Sequence, residues 1–250
     1  MAKNELATRI QMNAAEFQEL ASEFKVDNSD IMIPKILLMQ PSSVMVADDK
    51  VNARIGDFRN SVNAEKLGTI LEPLLFIPFH FTKIWDIIDP EQNNKWLRSD
   101  PFNPGDENLP WNYEEEGVKR ERVKRLNFFG FIPQQVEAGN ILPMVLSFKS
   151  TGYREGTKIL TQMKLNIAQK KLPWNTVYSL GGEKKKNDDD QTYCVPRISA
   201  VGDTHEDTLL LCMEWYRNIK NMTAKVVVDD SDVVGEYTKE AKKASDVGKY

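Results

Sequence analysis

The chain has 250 residues, 41% of them hydrophobic and 28% charged, enough apolar material to bury a real core in one generous domain or two small ones. Thirty-three Lys and Arg against 37 Asp and Glu give a formal charge of −4. That excludes a histone-like protein that coats DNA by bulk charge, but not a local basic surface, because steering depends on where charges lie. Two cysteines and two histidines exclude a disulfide framework and leave an ordinary zinc site short of its usual ligands.

In chain order, the first predicted element is a helix over Asn13–Phe24, with Asn13 as cap, Glu16 three residues on, and Phe17, Leu20, Ala21 and Phe24 on one stripe. The residues before it lack the unbroken apolar stretch of a signal peptide. IMIPKILLMQP (31–41) reads as an edge strand or extended arm, since Pro34 and Pro41 cannot donate to a central ladder. Residues 42–68 are polar and turn-rich. TILEPLLFIPFHFTKIW (69–85) is the strongest strand signal, dense in branched and aromatic residues, with Pro73 and Pro78 against a helix.

The segment 86–118 reads as a long excursion; residues 86–116 hold nine acidic and two basic side chains, and prolines at 90, 101, 104 and 110. RLNFFGFI (125–132) and NILPMVLSFK (140–149) predict two further strands. An amphipathic helix follows from about Arg154 to Lys170, with Ile159, Leu160, Met163 and Ile167 along one side and Pro173 as its stop. WNTVYSL (174–180) and TYCVPRISAV (192–201) predict two strands, with Gly181-Gly182 opening a polar hairpin loop that ends in Asp188, Asp189 and Asp190. A second helix is expected from the cap Thr204 to about Met222, burying Leu209, Cys212, Met213 and Tyr216. The tail 223–250 is too polar for a core. No internal repeat is present, and the longest apolar runs fall far short of the ~20 residues that span a bilayer.

From residue 69 onward the order is strands, one amphipathic helix, then two more strands. A helix between the third and fourth strands of a five-stranded antiparallel barrel is the OB layout. The predicted fold is therefore α+β: an antiparallel OB-like β-barrel with flanking helices. Its parts are an N-terminal helical arm (1–30), an OB-like core (31–222) carrying the acidic excursion, and a polar tail (223–250).

Enzyme signatures are missing from the sequence: it has no GxGxxG after a strand, no GxxxxGK[ST], no HExxH and no GxSxG. The expectation is a protein that is not an enzyme and takes no cofactor or metal. Asp188–Asp190 read as a solvated tip without EF-hand spacing. His80 and His205 read as ordinary surface or hydrogen-bonded imidazoles, and Cys194 and Cys212 as small buried hydrophobes.

The informative pattern is basic residues interleaved with aromatics. Lys119, Arg120, Arg122, Lys124 and Arg125, with only Glu121 against them, lead into Phe128, Phe129 and Phe131. Lys149, Arg154 and Lys158 surround Tyr153, and Lys170 and Lys171 precede Trp174 and Tyr178. Single-stranded nucleic acid calls for this mixture: cations follow phosphates, and flat rings accept bases at ~1–3 kcal/mol each, tolerant of sequence. The bland reading is that strand aromatics are core and helix lysines a wet face.

IPKILLMQPSS (33–43), the Gly56-Asp57-Phe58 turn, the strand leading to Trp85, and LSFKSTGYREGTKILTQM (146–163) resemble recurring stretches of small bacteriophage single-stranded DNA-binding proteins that accompany replication or recombination genes. The resemblance covers about residues 31–200. It implies a sequence-tolerant single-stranded DNA-binding protein that holds and protects the strand in the host cytoplasm. Its partners would be single-stranded DNA and replication or recombination proteins, with no membrane involved and the oligomeric state open. The last 26 residues depart from the strongly acidic tails common in such proteins, holding six acidic and five basic side chains. Expected phosphate contacts are Lys119, Arg120, Arg122, Lys124, Arg125, Lys149, Arg154 and Lys158; expected stacking rings are Phe129, Tyr153, Trp174 and Tyr178. The alternative is a phage structural or protein-interaction protein whose aromatics are simply core. A metal-dependent nuclease is a third reading, which needs acidic residues that converge in space.

Overall fold

In the computed structural model, which describes residues 33–48, 51–92, 94–187 and 190–222, short elements precede two long strands. In chain order they are β1 (Lys35–Leu38), a short helix α1 (Val44–Ala47), β2 (Asp57–Asn60), β3 (Lys66–Thr69), β4 (Leu74–Asp89), β5 (Lys95–Pro101), β6 (Asn112–Glu115) and β7 (Val118–Phe131). There follow α2 (Pro133–Glu137), β8 (Met144–Lys149), α3 (Tyr153–Ala168), β9 (Thr176–Lys186), β10 (Thr192–Asp203) and α4 (Glu206–Met222). The helix expected at 13–24, the 1–30 arm, the 223–250 tail, and Asp188 and Asp189 lie outside the described residues.

The strands form one sheet in the order β10-β9-β4-β7-β8-β1-β2-β3, with β5 on the far half of β4 and β6 on the start of β7. Every pairing is antiparallel except β1 with β8. The result is a mixed α+β fold whose eight-strand path curls into a half-barrel. The expectation of a barrel-like antiparallel sheet with flanking helices holds at that level.

Both faces of the central strands are covered. Leu126, Phe128 and Phe148 pack with Ile159 and Met163 of α3 and with Tyr178 and Leu180 of β9. On the other face Ile77, Phe79, Phe129, Phe131 and Val145 pack with Trp174 and with Cys212 and Ile219 of α4. Side chains on a strand alternate between faces, so successive residues Phe128 and Phe129 enter different cores.

Several expectations are corrected. The 31–41 segment is not an edge: β1 lies between β8 and β2. Pro34 stands just before the strand, where it loses no ladder donor, and its carbonyl accepts the Val145 N–H at 2.9 Å. The polar 42–68 stretch contains α1 and the β2–β3 hairpin. The excursion at 86–118 is not a loop. Its ends continue β4 and β7, and β5 and β6 flank them as short edge strands.

Gly181 and Gly182 do not form a turn, because β9 runs on to Lys186. A Cβ on Gly182 would sit 2.6 Å from Cγ2 of Ile70 and 2.9 Å from the Val195 carbonyl, so it is close approach that demands glycine there. Pro196 lies inside β10 and is tolerated because β10 is an edge strand. Thr204 does not cap α4 through Asp207; its hydroxyl donates to the Trp174 carbonyl at 2.8 Å.

The curl brings the edge strand β10 against the residues that follow β1. The Gln40 amide donates from Nε2 to the Cys194 carbonyl at 2.9 Å, and its Oε1 accepts the Cys194 N–H at 2.8 Å. One glutamine thus makes, on the outer edge of β10, the two bonds that a neighbouring strand would make. Among the described residues, no helix is long and apolar enough to cross a membrane.

Candidate functional site

A trough of about 640 Å³ lies between the N-terminal half of α3 and the outer part of β7. Its floor includes Val123 and Lys124 of β7. One wall is Tyr153, Arg154, Thr157, Lys158, Thr161 and Gln162 of α3, and Trp111 from the loop before β6 stands opposite. Helical spacing explains the wall: residues three and four apart share a face, while Ile159 and Met163 turn inward to the core. The Thr157 and Thr161 hydroxyls are tied to carbonyls one turn back, Tyr153 at 3.1 Å and Thr157 at 2.9 Å.

Three cations converge here. Arg154 is exposed and makes no ion pair among the described residues. Lys158 pairs with Glu155 at 2.7 Å. Lys124 holds its ammonium 5.3 Å from the Trp85 ring and 5.6 Å from the Phe102 ring and makes no ion pair among the described residues. Two aromatic rings border the same space. Trp111 is 54% exposed; Tyr153 is half-buried, and that burial pushes its phenol pKa up, keeping it neutral.

Trp111 is held by its neighbours on β7. The Arg122 N–H donates to the Trp111 carbonyl at 2.7 Å, the Arg122 guanidinium donates to the Pro110 carbonyl at 3.2 Å, and it stacks 3.6 Å from the Tyr113 ring centre.

Glu155 anchors the wall to β10. Burial pushes its carboxyl up, but bonds from Lys158, the Ile198 N–H and Arg197 outweigh that and hold it below the ordinary carboxylate range. Arg197 reaches Glu155 at 3.0 Å and also binds Glu183.

Of the twelve residues expected from sequence, four meet in the trough: Lys124, Tyr153, Arg154 and Lys158. The others are elsewhere, and several expectations are overturned. Arg125 is 1% exposed and its guanidinium is bound to the equally buried Asp86, with Nε at 2.7 Å. It is spent inside the sheet and faces no phosphate. Phe129 is sealed between the sheet and α4, Trp174 packs 5.3 Å from Tyr216, and Tyr178 lies in the α3 core, so none of these three rings is open to a base. Lys149 is exposed at the end of β8, opposite Arg125. Lys119 and Arg120 line a separate hollow at the β6–β7 hairpin, where Arg120 pairs with Asp89 at 3.0 Å. Arg122 braces the Trp111 loop.

Sequence reasoning missed Trp111. It sits in the acidic excursion, and the signal available was an exposed-type aromatic between prolines and polar residues, Leu109-Pro110-Trp111-Asn112. His205 is exposed as expected, whereas His80 lies half-buried between the Phe129 and Tyr216 rings at 5.6 and 5.7 Å. Burial, with Lys220 adding to it, lowers its pKa. Cys194 and Cys212 are buried, and burial pushes the Cys212 thiol up to about 12, far from a reactive thiolate. Among the described residues, no three His, Cys, Asp or Glu side chains cluster as metal ligands would.

A family model described as Pam3 phage gp34-like protein matches residues 2–225. No curated protein and no solved structure matches the chain.

Proposed function

The chain belongs to the Pam3 phage gp34-like family and is of phage origin, and on that premise we propose that it binds single-stranded nucleic acid in the trough between α3 and β7. The observation that carries this reading is the meeting of Lys124, Arg154 and Lys158 with Trp111 and Tyr153 in one concave surface. Cations follow the phosphates and the two rings receive bases, an arrangement that tolerates sequence because every base has a flat face. The role is binding, not turnover: the strand is held extended and kept from re-pairing during phage DNA replication or recombination.

The reading extends to an OB-like core. The strands β4, β7, β8, β9 and β10 pair in the order β10-β9-β4-β7-β8, with α3 between the third and fourth of them. Taken as OB strands one to five, they make the excursion at 90–117 the loop between the first two, a loop that OB-folds use for oligonucleotides along with their second strand. Trp111 and Lys124 occupy those two positions.

Binding of a labelled oligothymidylate tests the proposal. Affinity should fall with salt along a slope of about −2 in log–log form, roughly −0.7 for each of three phosphates. Reversing Lys124 and Arg154 to Glu should cost at least about tenfold with circular dichroism unchanged. A flat salt response overturns it. The competing reading, a phage structural or protein-interaction protein, is favoured by the burial of Phe129, Trp174 and Tyr178; it requires the charge reversals to leave oligonucleotide binding where it was.

A further inference from the structure

Beyond the trough, β4 carries an exposed ring that the core does not use. Phe81, Lys83 and Trp85 share one face of β4 by strand alternation, opposite Phe128, Leu126 and Lys124 of β7. Leu126 and Phe128 are sealed beneath α3, and Trp85 is covered by the stacked Phe102 ring at 5.1 Å. Phe81 is covered by neither. It stays 42% exposed although it sits 6.2 Å from the buried Phe128 ring.

Lys83 and Lys124 stand on either strand beside the same ring. Their ammonium groups lie 4.8 and 5.6 Å from the centre of Phe102, and neither makes an ion pair among the described residues. Lys124 belongs to the trough as well. Arg154 and Lys124 line the trough, Lys124 and Lys83 flank the Phe102 ring, and Phe81 follows Lys83 on the same face of β4.

We propose that a strand bound in the trough leaves it past Phe102 and continues along β4, where Lys83 takes a phosphate and Phe81 stacks a base. Residues two apart on a strand are about 7 Å apart, within the reach of one nucleotide. This rests on the nucleic-acid reading of the trough and adds a second station to it, which lengthens the binding site. The ligand class is extended single-stranded nucleic acid; a duplex keeps its bases stacked on one another and has none to offer Phe81.

The test compares oligothymidylates of about 30 and about 6 nucleotides, the short one sized for the trough alone. Phe81→Ala and Lys83→Gln should each weaken binding of the long oligomer about fivefold or more and leave the short one within about twofold. Lys83→Gln should also lower the salt slope for the long oligomer by about 0.7. If both variants leave the long oligomer unaffected while Lys124→Glu with Arg154→Glu abolishes binding, the trough stands and the β4 station is overturned. Equal loss for both lengths overturns it too, because Phe81 and Lys83 would then act through the trough. If the trough variants bind like the unaltered protein, the functional reading itself falls and this inference with it.

Discussion

Neighbouring residues in KRERVKR have opposite fates, and only tertiary structure separates them. Lys124 faces the trough; Arg125 is sealed against Asp86. Alternation says they point to different faces, but a sequence does not say which face is open. The partner, Asp86, comes from the stretch that reads as a solvated acidic excursion, so the pairing is invisible along the chain. Glu155 is similar: a lone acid among six basic residues between 147 and 171 reads as noise, yet it is 1% exposed and tied to Lys158, Arg197 and the Ile198 N–H. Its folded-state pKa lies below the ordinary 4.5. The stability it adds is therefore fully present above that value and is lost as pH falls through the folded pKa. Glu155→Gln should cost about 1–3 kcal/mol at neutral pH and flatten the acid limb of the stability curve; urea melts from pH 7 downward measure both, and an unchanged acid limb would refute the assignment.

At the scale of elements, long periodic segments were legible and short polar ones were not. The helix expected over 154–170 is α3, and the strands expected around 125–132, 140–149, 174–180 and 192–201 are present with shifted ends. Alternation alone leaves Phe129 a face of β7 on which a base could stack, and the structure fills that face. Helices α3 and α4 cover opposite faces of β7, so Phe128 and Phe129 are both buried and no outward set remains for stacking. The strands β5 and β6 escaped because edge strands pair on one side only and tolerate charge and proline. They, with the loop between them, turn an acidic stretch into the scaffold that carries Phe102 and Trp111. Among the described glycines, Gly130, paired with Pro78, marks the tightest approach between the two long strands. A Cβ there would lie 2.4 Å from the Ile77 carbonyl and 2.5 Å from the Phe76 ring, next to the bulge between Pro78 and His80. Gly130→Ala should destabilise by about 1–3 kcal/mol or more, while Gly139→Gln, with open space around it, tests positive-φ strain alone. Equal thermal shifts for the two would refute the packing argument.

For the molecule as a whole, sequence order carried the α+β architecture and missed how its edges meet. The β1–β8 pair is parallel and joins segments about a hundred residues apart, a contact that no local pattern announces. On the far side Gln40 meets Cys194, separated by 154 positions. Gln40→Ala should leave the Cys194 N–H and carbonyl without that partner, cost about 1–3 kcal/mol, and speed hydrogen exchange of the Cys194 amide ahead of global unfolding. Exchange at the unaltered rate would show that the curl persists without it.

That joint distinguishes glutamine from glutamate, which has the same size and reach. An amide offers a donor and an acceptor at once, whereas an ionised carboxylate offers acceptors alone. Spontaneous hydrolysis of the Gln40 amide would set an anionic oxygen against the Cys194 carbonyl and push β10 away from the residues after β1. Chemical ageing at one side chain would in this way reach a contact between segments 154 positions apart.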